Sequence, residues 1–395
     1  MSMGPENALN ALNALNALNA LNALNALGSS NALGAPGGES PLLGEALITN
    51  RDGIAGARIP DIPAPAPGLA DSPQNLPRLS TSVRAAIFQA ELGQSVDLSV
   101  EINDGLPTAT LWRKTAERDR KSRTVTFAPM VEMTGPTTEQ LVTQLRLVGS
   151  YARLRADRGA EVLSQIGVPT AFFGSIGFLD PARTPHTIEL LYTALGFALP
   201  VIQRTKFAMA VKRPIEFSPQ VQPMIATPTH GSLPSGHATE VFLMARVLWK
   251  LLRESGAPQY ADHDNAYWGE MLMRQAARIA TNRTVAGVHF PIDSVAGAAL
   301  GLTLADHVHA MCRGGGWSSA CLKAPKFNAD DDFDWHQLYA AKGDKLQPEA
   351  GTGDHVYATF ETHEAGGDAP PSPALNWLWQ KALDEWRDPQ PAAGR

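Results

Sequence analysis

Residues 234–252 read PSGHATEVFLMARVLWKLL, and this stretch decides how the middle of the chain folds. Ser235 follows a proline-rich segment and is a favourable helix cap, because its side-chain oxygen can accept a hydrogen bond from a free backbone N–H. The apolar residues behind it recur at helical spacing. They are Val241, Met244, Val247, Leu248, Leu251 and Leu252. The pattern predicts a helix that begins at Ser235 and ends before Gly256.

Helical spacing also dominates on both sides of this stretch. It predicts helices over residues 84–92, 137–163, 187–212, 268–281, 291 to about 311, and 373–386. Thr138 is the expected cap of the second helix, and Pro214 ends the third because the residue before a proline avoids the helical region. Small residues between Ala296 and Gly301 predict a closely approaching neighbour helix. Because strand patterns are scarce between residues 137 and 311, the predicted fold class is all-α, a helical bundle.

Three segments of the chain differ in composition. Residues 1–79 contain seven consecutive Asn-Ala-Leu triplets and a Pro-Ala-Pro-Ala-Pro run, which predict a low-complexity, disordered tail. Residues 80–325 form the predicted helical domain, which contains every candidate site residue. Residues 326–395 are rich in acidic residues, glycine and proline, and they predict an irregular C-terminal extension. Asp104 and Gly105 mark a turn.

Composition excludes some classes of protein. A formal charge of −6 and a pI near 5.9 argue against a nucleic-acid binder, which needs a basic face. The N-terminus lacks the pattern of a secretory signal, and the most apolar run, residues 188–202, is too short for a membrane span. We therefore expect a cytoplasmic or otherwise soluble protein, which could form a homo-oligomer. Cys312 and Cys321 are expected to be free thiols rather than a disulfide.

Charged and histidine residues concentrate between residues 206 and 293. Lys206 and Arg213 are seven residues apart, which would place them on one face of a helix; such a pair is usually a solvated surface. Gly236 and His237 follow Ser235 at the predicted helix start. There, free backbone N–H groups and the helix dipole favour an anion, although a Ser-Gly pair alone is more often only a cap.

A third group of residues completes the pattern. Arg283 precedes His289 by six residues, and Asp293 follows the histidine by four. A carboxylate at that spacing can accept the imidazole N–H, which fixes the tautomer and makes the other nitrogen a better nucleophile or ligand. A single His-Asp pair is usually structural. The three groups together suit the binding of a tetrahedral oxyanion.

The three motifs resemble those of a superfamily shared by type 2 phosphatidic acid phosphatases, soluble bacterial acid phosphatases and vanadium-dependent haloperoxidases. The matching residues are Lys206, Arg213 and Pro214; Pro234, Ser235, Gly236 and His237; and Arg283, His289 and Asp293. One departure is Asn282, where the family usually has serine. Solubility and the long helical stretch before Lys206 favour the haloperoxidase-like branch. The resemblance implies a helical bundle of the acid phosphatase and vanadium haloperoxidase type.

The resemblance also implies a role for each residue. Lys206, Arg213 and Arg283 would neutralise the oxyanion, with Ser235 and the Gly236 N–H completing its binding site. His289 would be the apical group, either a phosphorylated nucleophile or the ligand of vanadate. His237 would be the general acid and base, and Asp293 would orient His289.

The motifs leave three functions open. His230 lies seven residues before His237 and resembles a second histidine of haloperoxidases that oxidise bromide. This resemblance favours a vanadate enzyme that uses hydrogen peroxide to oxidise a halide. Bromide or iodide is expected more than chloride. A histidine in a proline-rich loop is an equal alternative, and Gln203 and Leu233 replace aromatic residues of several haloperoxidases. The second function is a soluble acid phosphatase that acts on a phosphate ester through a phosphohistidine. The third is a non-catalytic oxyanion-binding module.

Overall fold

The computed structural model describes residues 67–387 except 119–121, 168, 258–259, 261–265 and 365–370, together with residues 45–46, 48–50 and 53–54. The Asn-Ala-Leu repeat and most of the proline-rich run lie outside the described residues. The disordered tail expected there stays a prediction.

Most helices lie close to the ranges that the sequence predicts. In chain order they are α1 (Thr81–Gln94), α2 (Thr138–Tyr151), α3 (Arg155–Ser164), α4 (Thr170–Gly177), α5 (Pro185–Met209), α6 (Pro214–Phe217), α7 (Gly236–Glu254), α8 (Tyr267–Val285), α9 (Pro291–Arg313) and α10 (Pro373–Asp384). The sequence does not predict the short helices α4 and α6. The single helix expected over residues 137–163 is divided between α2 and α3. Its cap is Thr137, not Thr138: the Thr137 hydroxyl accepts the Gln140 N–H, and the Gln140 side chain accepts the Thr137 N–H.

The all-α prediction is wrong, because the structure also contains a β-sheet. The strands are β1 (Val96–Asn103), β2 (Leu106–Arg118), β3 (Arg123–Thr134), β4 (Trp317–Lys323), β5 (Tyr339–Ala340), β6 (Lys345–Leu346), β7 (Glu349–Ala350) and β8 (Ala358–His363). Six of them form one sheet in the order β1–β2–β3–β4–β8–β7, and β5 pairs with β6. Within the sheet β3 and β4 are parallel, whereas the other neighbours are antiparallel.

The position of the strands explains why the prediction missed them. The strands flank residues 137–311, the range in which strand patterns are scarce, and β4 pairs with β3 across almost half of the chain. The turn predicted at Asp104 and Gly105 is present: both residues have positive φ, 51° and 79°, as a two-residue hairpin requires. The C-terminal segment contributes β5–β8, so the irregular structure expected there is wrong for these strands. Helix α10 is the helix predicted over residues 373–386.

Helices α7 and α9 pack against each other in the centre of the fold, and the small residues of α9 allow it. A Cβ atom at Gly297 would lie 2.5 Å from the Ser235 carbonyl oxygen, and one at Gly301 would collide with the Thr239 carbonyl oxygen. The close helix approach predicted from residues 296–301 is confirmed. It places the start of α7 directly against the first turns of α9.

Two stretches, Pro185–Phe217 and Pro291–Arg313, are long and apolar enough to cross a membrane. Their most apolar windows are 67% and 94% buried inside the protein, and core helices of soluble proteins pass the same test. Length and composition alone are therefore weak evidence for a membrane span. The soluble location expected from the sequence stays a prediction.

A buried ionic cluster holds the β5–β6 hairpin to the two central helices. The Arg246 guanidinium lies 2.8 Å from the carboxylate of Asp306 and 2.9 Å from that of Asp344. The Lys250 ammonium lies 2.8 Å and 2.5 Å from the same two carboxylates. Burial alone would raise the pKa of the Asp344 carboxyl, but Arg246 and Lys250 outweigh it and hold that pKa well below its usual range. Cys312 and Cys321 are free thiols, as expected.

We predict that Gly301→Ala lowers the free energy of unfolding by about 1–3 kcal/mol, because the added methyl group forces α9 away from α7. Urea unfolding followed by circular dichroism measures the change. Gly149→Ala is the matched control: Gly149 lies in α2 with open space around the position of a Cβ, so alanine should stabilise the helix by about 0.5–1 kcal/mol. Equal effects of the two substitutions would contradict the helix contact.

We predict that Asp344→Asn lowers the free energy of unfolding at pH 7 by about 3–5 kcal/mol, because it leaves two buried cations with one carboxylate. The folded-state pKa of Asp344 lies below the unfolded value of 3.8, so its contribution is present above that value and is lost as the pH falls through the folded pKa. The difference between wild type and variant should therefore shrink below about pH 4. The control is Asp384→Asn at an exposed pair with Arg387, which should change stability by less than about 1 kcal/mol.

Candidate functional site: an oxyanion-binding centre

Lys206 and Arg213 lie in the same centre, but not on one helix face as the sequence predicts. Helix α5 ends at Met209, and Ala210 takes a left-handed conformation (φ 50°) that turns the chain. Arg213 is extended (φ −80°, ψ 156°), as its position before Pro214 requires. The loop, not the helix, therefore brings the two cations together.

The two cations are anchored by backbone carbonyl groups of the loop before α7. The buried Lys206 ammonium donates to the carbonyl oxygens of Gly231 (3.0 Å) and Ser232 (2.9 Å). The Arg213 guanidinium donates to the carbonyl oxygens of His230 (3.2 Å) and Gly231 (3.2 Å), and to that of Val288 (2.8 Å). Both side chains are consequently fixed before any ligand binds.

His289 and Asp293 form the pair that their spacing predicts. The imidazole Nδ1 lies 2.9 Å from Asp293 Oδ2, and the same oxygen accepts the Phe290 N–H (2.9 Å) and the Ser232 hydroxyl. An acceptor at Nδ1 places the proton there and leaves Nε2 with its lone pair. Nε2 lies 3.0 Å from Arg213 Nη1. Nε2 therefore accepts a hydrogen bond from the Arg213 guanidinium, a cation that could also bind an oxyanion.

The electrostatic environment keeps His289 neutral. Burial, followed by the charges of Arg213 and Lys206, lowers its pKa well below the usual value. Burial raises the pKa of the Asp293 carboxyl, while the hydrogen bonds from Ser232 and Phe290 act in the opposite direction. A neutral imidazole with a fixed Nδ1–H can act as a nucleophile or as a ligand.

Ser235 and Gly236 form the start of α7. The Ser235 hydroxyl accepts the Ala238 N–H (3.3 Å), so Ser235 is a helix cap, and its own N–H donates to the Asp293 carbonyl oxygen (2.8 Å). The Gly236 backbone lies against Lys206, since a Cβ there would be 3.8 Å from Lys206 Cε. The free N–H groups of this first turn are therefore beside the Lys206 side chain.

Arg283 and His237 approach the centre from the side of α3. Arg283 is 1% exposed; its Nη2 donates to the Val162 carbonyl oxygen (3.0 Å), whereas Nε and Nη1 are buried with no hydrogen-bond partner among the described residues. His237 Nε2 lies 2.9 Å from the Gln165 carbonyl oxygen, to which it donates. Burial, followed by the charge of Arg283, lowers the His237 pKa to about 3.

His230 also lies at the centre. Its Nδ1 is 3.1 Å from Arg213 Nη2, and its ring is half-buried. Burial, followed by the charges of Lys206 and Arg213, lowers its pKa to about 4. The structure thus brings together every residue of the predicted site, while their roles stay predictions.

Two further residues of the centre have no local sequence pattern that could predict them. Ser232 contacts the His289–Asp293 pair from about 60 residues away in the chain, and Gln165 contacts His237 from 72 residues away. Gln165 is fully buried and also accepts a hydrogen bond from Asn282 (2.9 Å), the residue that departs from the family pattern. Partners so distant in sequence leave no local spacing to recognise.

Positive charge is concentrated at the centre. Burial, followed by the charge of Arg213, lowers the pKa of Lys206 well below its usual value, and burial lowers the pKa values of Arg213 and Arg283 to about 10. The Asp293 carboxylate offsets part of this positive charge, since it acts to raise the pKa values of both Lys206 and Arg213. Buried cations in excess of their counter-charges are costly, so a bound anion would relieve the remaining repulsion. Among the described residues, no group of three or more His, Cys, Asp or Glu side chains could hold a metal ion.

The comparison with family models agrees with this geometry. The model of the PAP2 superfamily matches residues 187–314, a range that includes all three motifs. Residues 187–314 are a PAP2 superfamily domain. The six-stranded sheet is built from residues outside this PAP2 domain, which is why the helical family fold did not predict it.

A solved structure gives a weaker similarity. It is described as the crystal structure of the first transmembrane PAP2 type phosphatidylglycerolphosphate phosphatase from Bacillus subtilis, with 19% identity, a TM-score of 0.27, and coverage of 42% of this chain and 92% of that chain. These values are too low to transfer an activity. The comparison with curated proteins found no match. Membership of the haloperoxidase-like branch stays a prediction.

We predict that inorganic phosphate raises the melting temperature of the protein, because an anion bound only by the folded state stabilises it, by about 2.7 kcal/mol at 100 times its Kd. Differential scanning fluorimetry at increasing phosphate measures the shift. Arg283→Gln should abolish most of the shift, whereas Arg274→Gln, at an exposed ion pair with Glu270, should preserve it. A shift of the same size in both variants would exclude Arg283 from the anion site.

Proposed function

We propose that the PAP2 domain is a phosphatase that hydrolyses phosphate esters through a covalent phosphohistidine at His289. The observation that carries the proposal is the neutral His289 imidazole: its Nδ1–H is held by Asp293, and its Nε2 lies 3.0 Å from Arg213 Nη1. The match of residues 187–314 to the PAP2 superfamily supports the same reaction class.

The cations would bind the phosphoryl group of the ester. The phosphoryl oxygens would be neutralised by Lys206, Arg213 and Arg283, whose Nε and Nη1 have no partner among the described residues. The N–H groups at the start of α7 would donate to the same oxygens. The positions of the cations are fixed by carbonyl contacts before binding, so little reorganisation is needed when charge develops on the phosphoryl oxygens.

In the first step the Nε2 lone pair of His289 would attack phosphorus. The N–P bond forms while the bond between phosphorus and the ester oxygen breaks, and the leaving alkoxide takes a proton from His237. In the second step water attacks phosphorus, gives a proton to His237, and the N–P bond breaks to release inorganic phosphate. Asp293 would stabilise the positive charge on the His289 ring in the phosphorylated state.

His237 needs a proton for the first step, although burial and Arg283 lower its pKa to about 3 in the ligand-free centre. A bound phosphate dianion would reverse the effect of the neighbouring cations and raise that pKa. The Gln165 carbonyl holds Nε2–H of His237, so Nδ1 is the nitrogen left for the proton transfer. Substrate binding would thus prepare its own general acid.

We predict that the metal-free protein hydrolyses p-nitrophenyl phosphate, that vanadate inhibits it, and that His289→Ala lowers kcat by at least about 1000-fold, because the nucleophile is lost. Release of p-nitrophenol measures the rate. Wild type quenched in alkaline denaturant should contain an acid-labile phosphoryl group that mass spectrometry locates on His289.

The matched control for this experiment is His355→Ala, which removes an exposed histidine from the C-terminal part of the chain and should leave kcat unchanged. Asp293→Asn should lower kcat by about 10–100-fold, since the imidazole loses its orienting acceptor. Hydrolysis that continues at the wild-type rate in His289→Ala would rule out the proposal.

A vanadium-dependent haloperoxidase is the second candidate, and the contact of His230 with Arg213 favours it. The same centre fits vanadate, a tetrahedral oxyanion, with His289 as its ligand and Lys206, Arg213 and Arg283 around its oxygens. Bound vanadate would supply the activation of hydrogen peroxide, while His237 and His230 would hold protons nearby.

Reconstitution with orthovanadate tests this second candidate. A haloperoxidase should halogenate monochlorodimedone with hydrogen peroxide and bromide or iodide, and His230→Ala should change the turnover. If the reconstituted protein turns over none of the halides, the haloperoxidase is excluded. Phosphate or vanadate binding without either reaction would identify an oxyanion-binding module instead.

A further inference from the structure

The side-chain amide of Asn282 has one orientation that its neighbours allow. Its Oδ1 accepts from Arg158 Nη1 (3.2 Å), and its Nδ2 donates to Glu161 Oε2 (3.2 Å). An arginine side chain can only donate. The hydrogen bond with Arg278 lowers the pKa of the Glu161 carboxyl, and an ionised carboxylate can only accept. A flipped amide would oppose both neighbours, so Asn282 presents its N–H groups on the side of Glu161.

This orientation fixes the amide of Gln165 as well. Asn282 Nδ2 lies 2.9 Å from Gln165 Oε1, and Arg283 Nη2 lies 3.4 Å from the same oxygen. Both neighbours are donors, so the oxygen of Gln165 must face them. Its nitrogen, Nε2, is consequently turned away from both.

Gln165 Nε2 is then left without a partner. Gln165 is 0% exposed, and Nε2 forms no hydrogen bond with any of the described residues. A buried donor without a hydrogen bond destabilises the folded protein, because the group has lost its contact with water. The same residue contacts His237 through its carbonyl oxygen and Arg283 through its side chain, and Nε and Nη1 of Arg283 are also unpartnered. Gln165 therefore links Arg283 to His237, and the side chains of both Gln165 and Arg283 carry buried donors that are unsatisfied among the described residues.

We propose that Gln165 Nε2 is a further donor to the bound oxyanion, held in orientation by Asn282. The inference rests on the oxyanion centre of the proposed function, but not on the reaction that follows binding. It also explains the asparagine at position 282, where the family usually has serine. A serine side chain is too short to donate hydrogen bonds to both Glu161 and Gln165. The donor adds no charge, so it acts through hydrogen-bond geometry.

Calorimetric titration with inorganic phosphate tests the inference. Gln165→Met keeps the volume of the side chain and removes the amide, and Gln165→Glu keeps the acceptor oxygens for Asn282 and Arg283 but removes the N–H donor. Both should weaken phosphate binding by at least about tenfold at pH 8, since a hydrogen bond to a charged group contributes about 1.5–3 kcal/mol. The Kd ratio of Gln165→Glu to wild type should decrease below about pH 5, because protonation restores a donor.

The matched controls are Gln94→Met and Gln94→Glu, which make the same changes at an exposed residue of α1 and should leave the Kd within twofold. A crystal structure of the phosphate complex should place Gln165 Nε2 within about 3.2 Å of a phosphate oxygen. If Gln165→Met fails to fold, the phosphate Kd of Gln165→Glu and the crystal structure of the phosphate complex test the inference. Wild-type affinity in Gln165→Glu, or a distance above about 3.5 Å to every phosphate oxygen, would overturn the inference.

The outcome is separable from the test of the phosphatase. Hydrolysis of phosphate esters with unchanged phosphate affinity in the Gln165 variants would remove this inference and leave the proposed function. Phosphate binding that depends on Gln165, without hydrolysis by the wild type, would support the inference and remove the proposed function.

Discussion

The contact between α7 and α9 is the constraint on which the centre depends. Gly297 and Gly301 let the backbone of α7 approach, and the Ser235 N–H then donates to the Asp293 carbonyl oxygen across 2.8 Å. This bond joins the first turn of α7, which offers N–H groups to an anion, to the first turn of α9, which orients His289. A wider gap between the helices would separate the first turn of α7 from the His289–Asp293 pair.

Backbone carbonyl groups hold the cationic side chains of the centre in place before a ligand binds. Lys206 and Arg213 donate hydrogen bonds to backbone carbonyl groups of loops. Arg283 donates from one nitrogen to α3, and its other two nitrogens have no partner among the described residues. Carbonyl contacts reduce the cost of burying positive charge but do not neutralise it. The remaining repulsion favours an anion, and the fixed geometry reduces the entropy that is lost when the anion binds.

The regions outside the PAP2 domain support this arrangement. Helix α3 supplies the acceptor for Arg283, and Gln165, the residue after α3, supplies the acceptor for His237, although both precede residue 187. The sheet packs on α5 and α9, and the ionic cluster of Arg246, Lys250, Asp306 and Asp344 attaches the β5–β6 hairpin to α7 and α9. The C-terminal residues are thus part of the same folded body as the centre.

The sequence by itself determined most of the long helices and the motif residues, because helical periodicity, caps and the four-residue spacing of His289 and Asp293 are local properties. It did not predict the short helices α4 and α6. Tertiary structure decided the rest. Lys206 and Arg213 meet because the chain turns at Ala210, and Ser232, Gln165 and Asn282 join the centre through contacts between distant segments. The sheet depends on pairing between β3 and β4, which lie far apart in the chain. Such contacts follow from the packing of whole elements, so no local pattern encodes them.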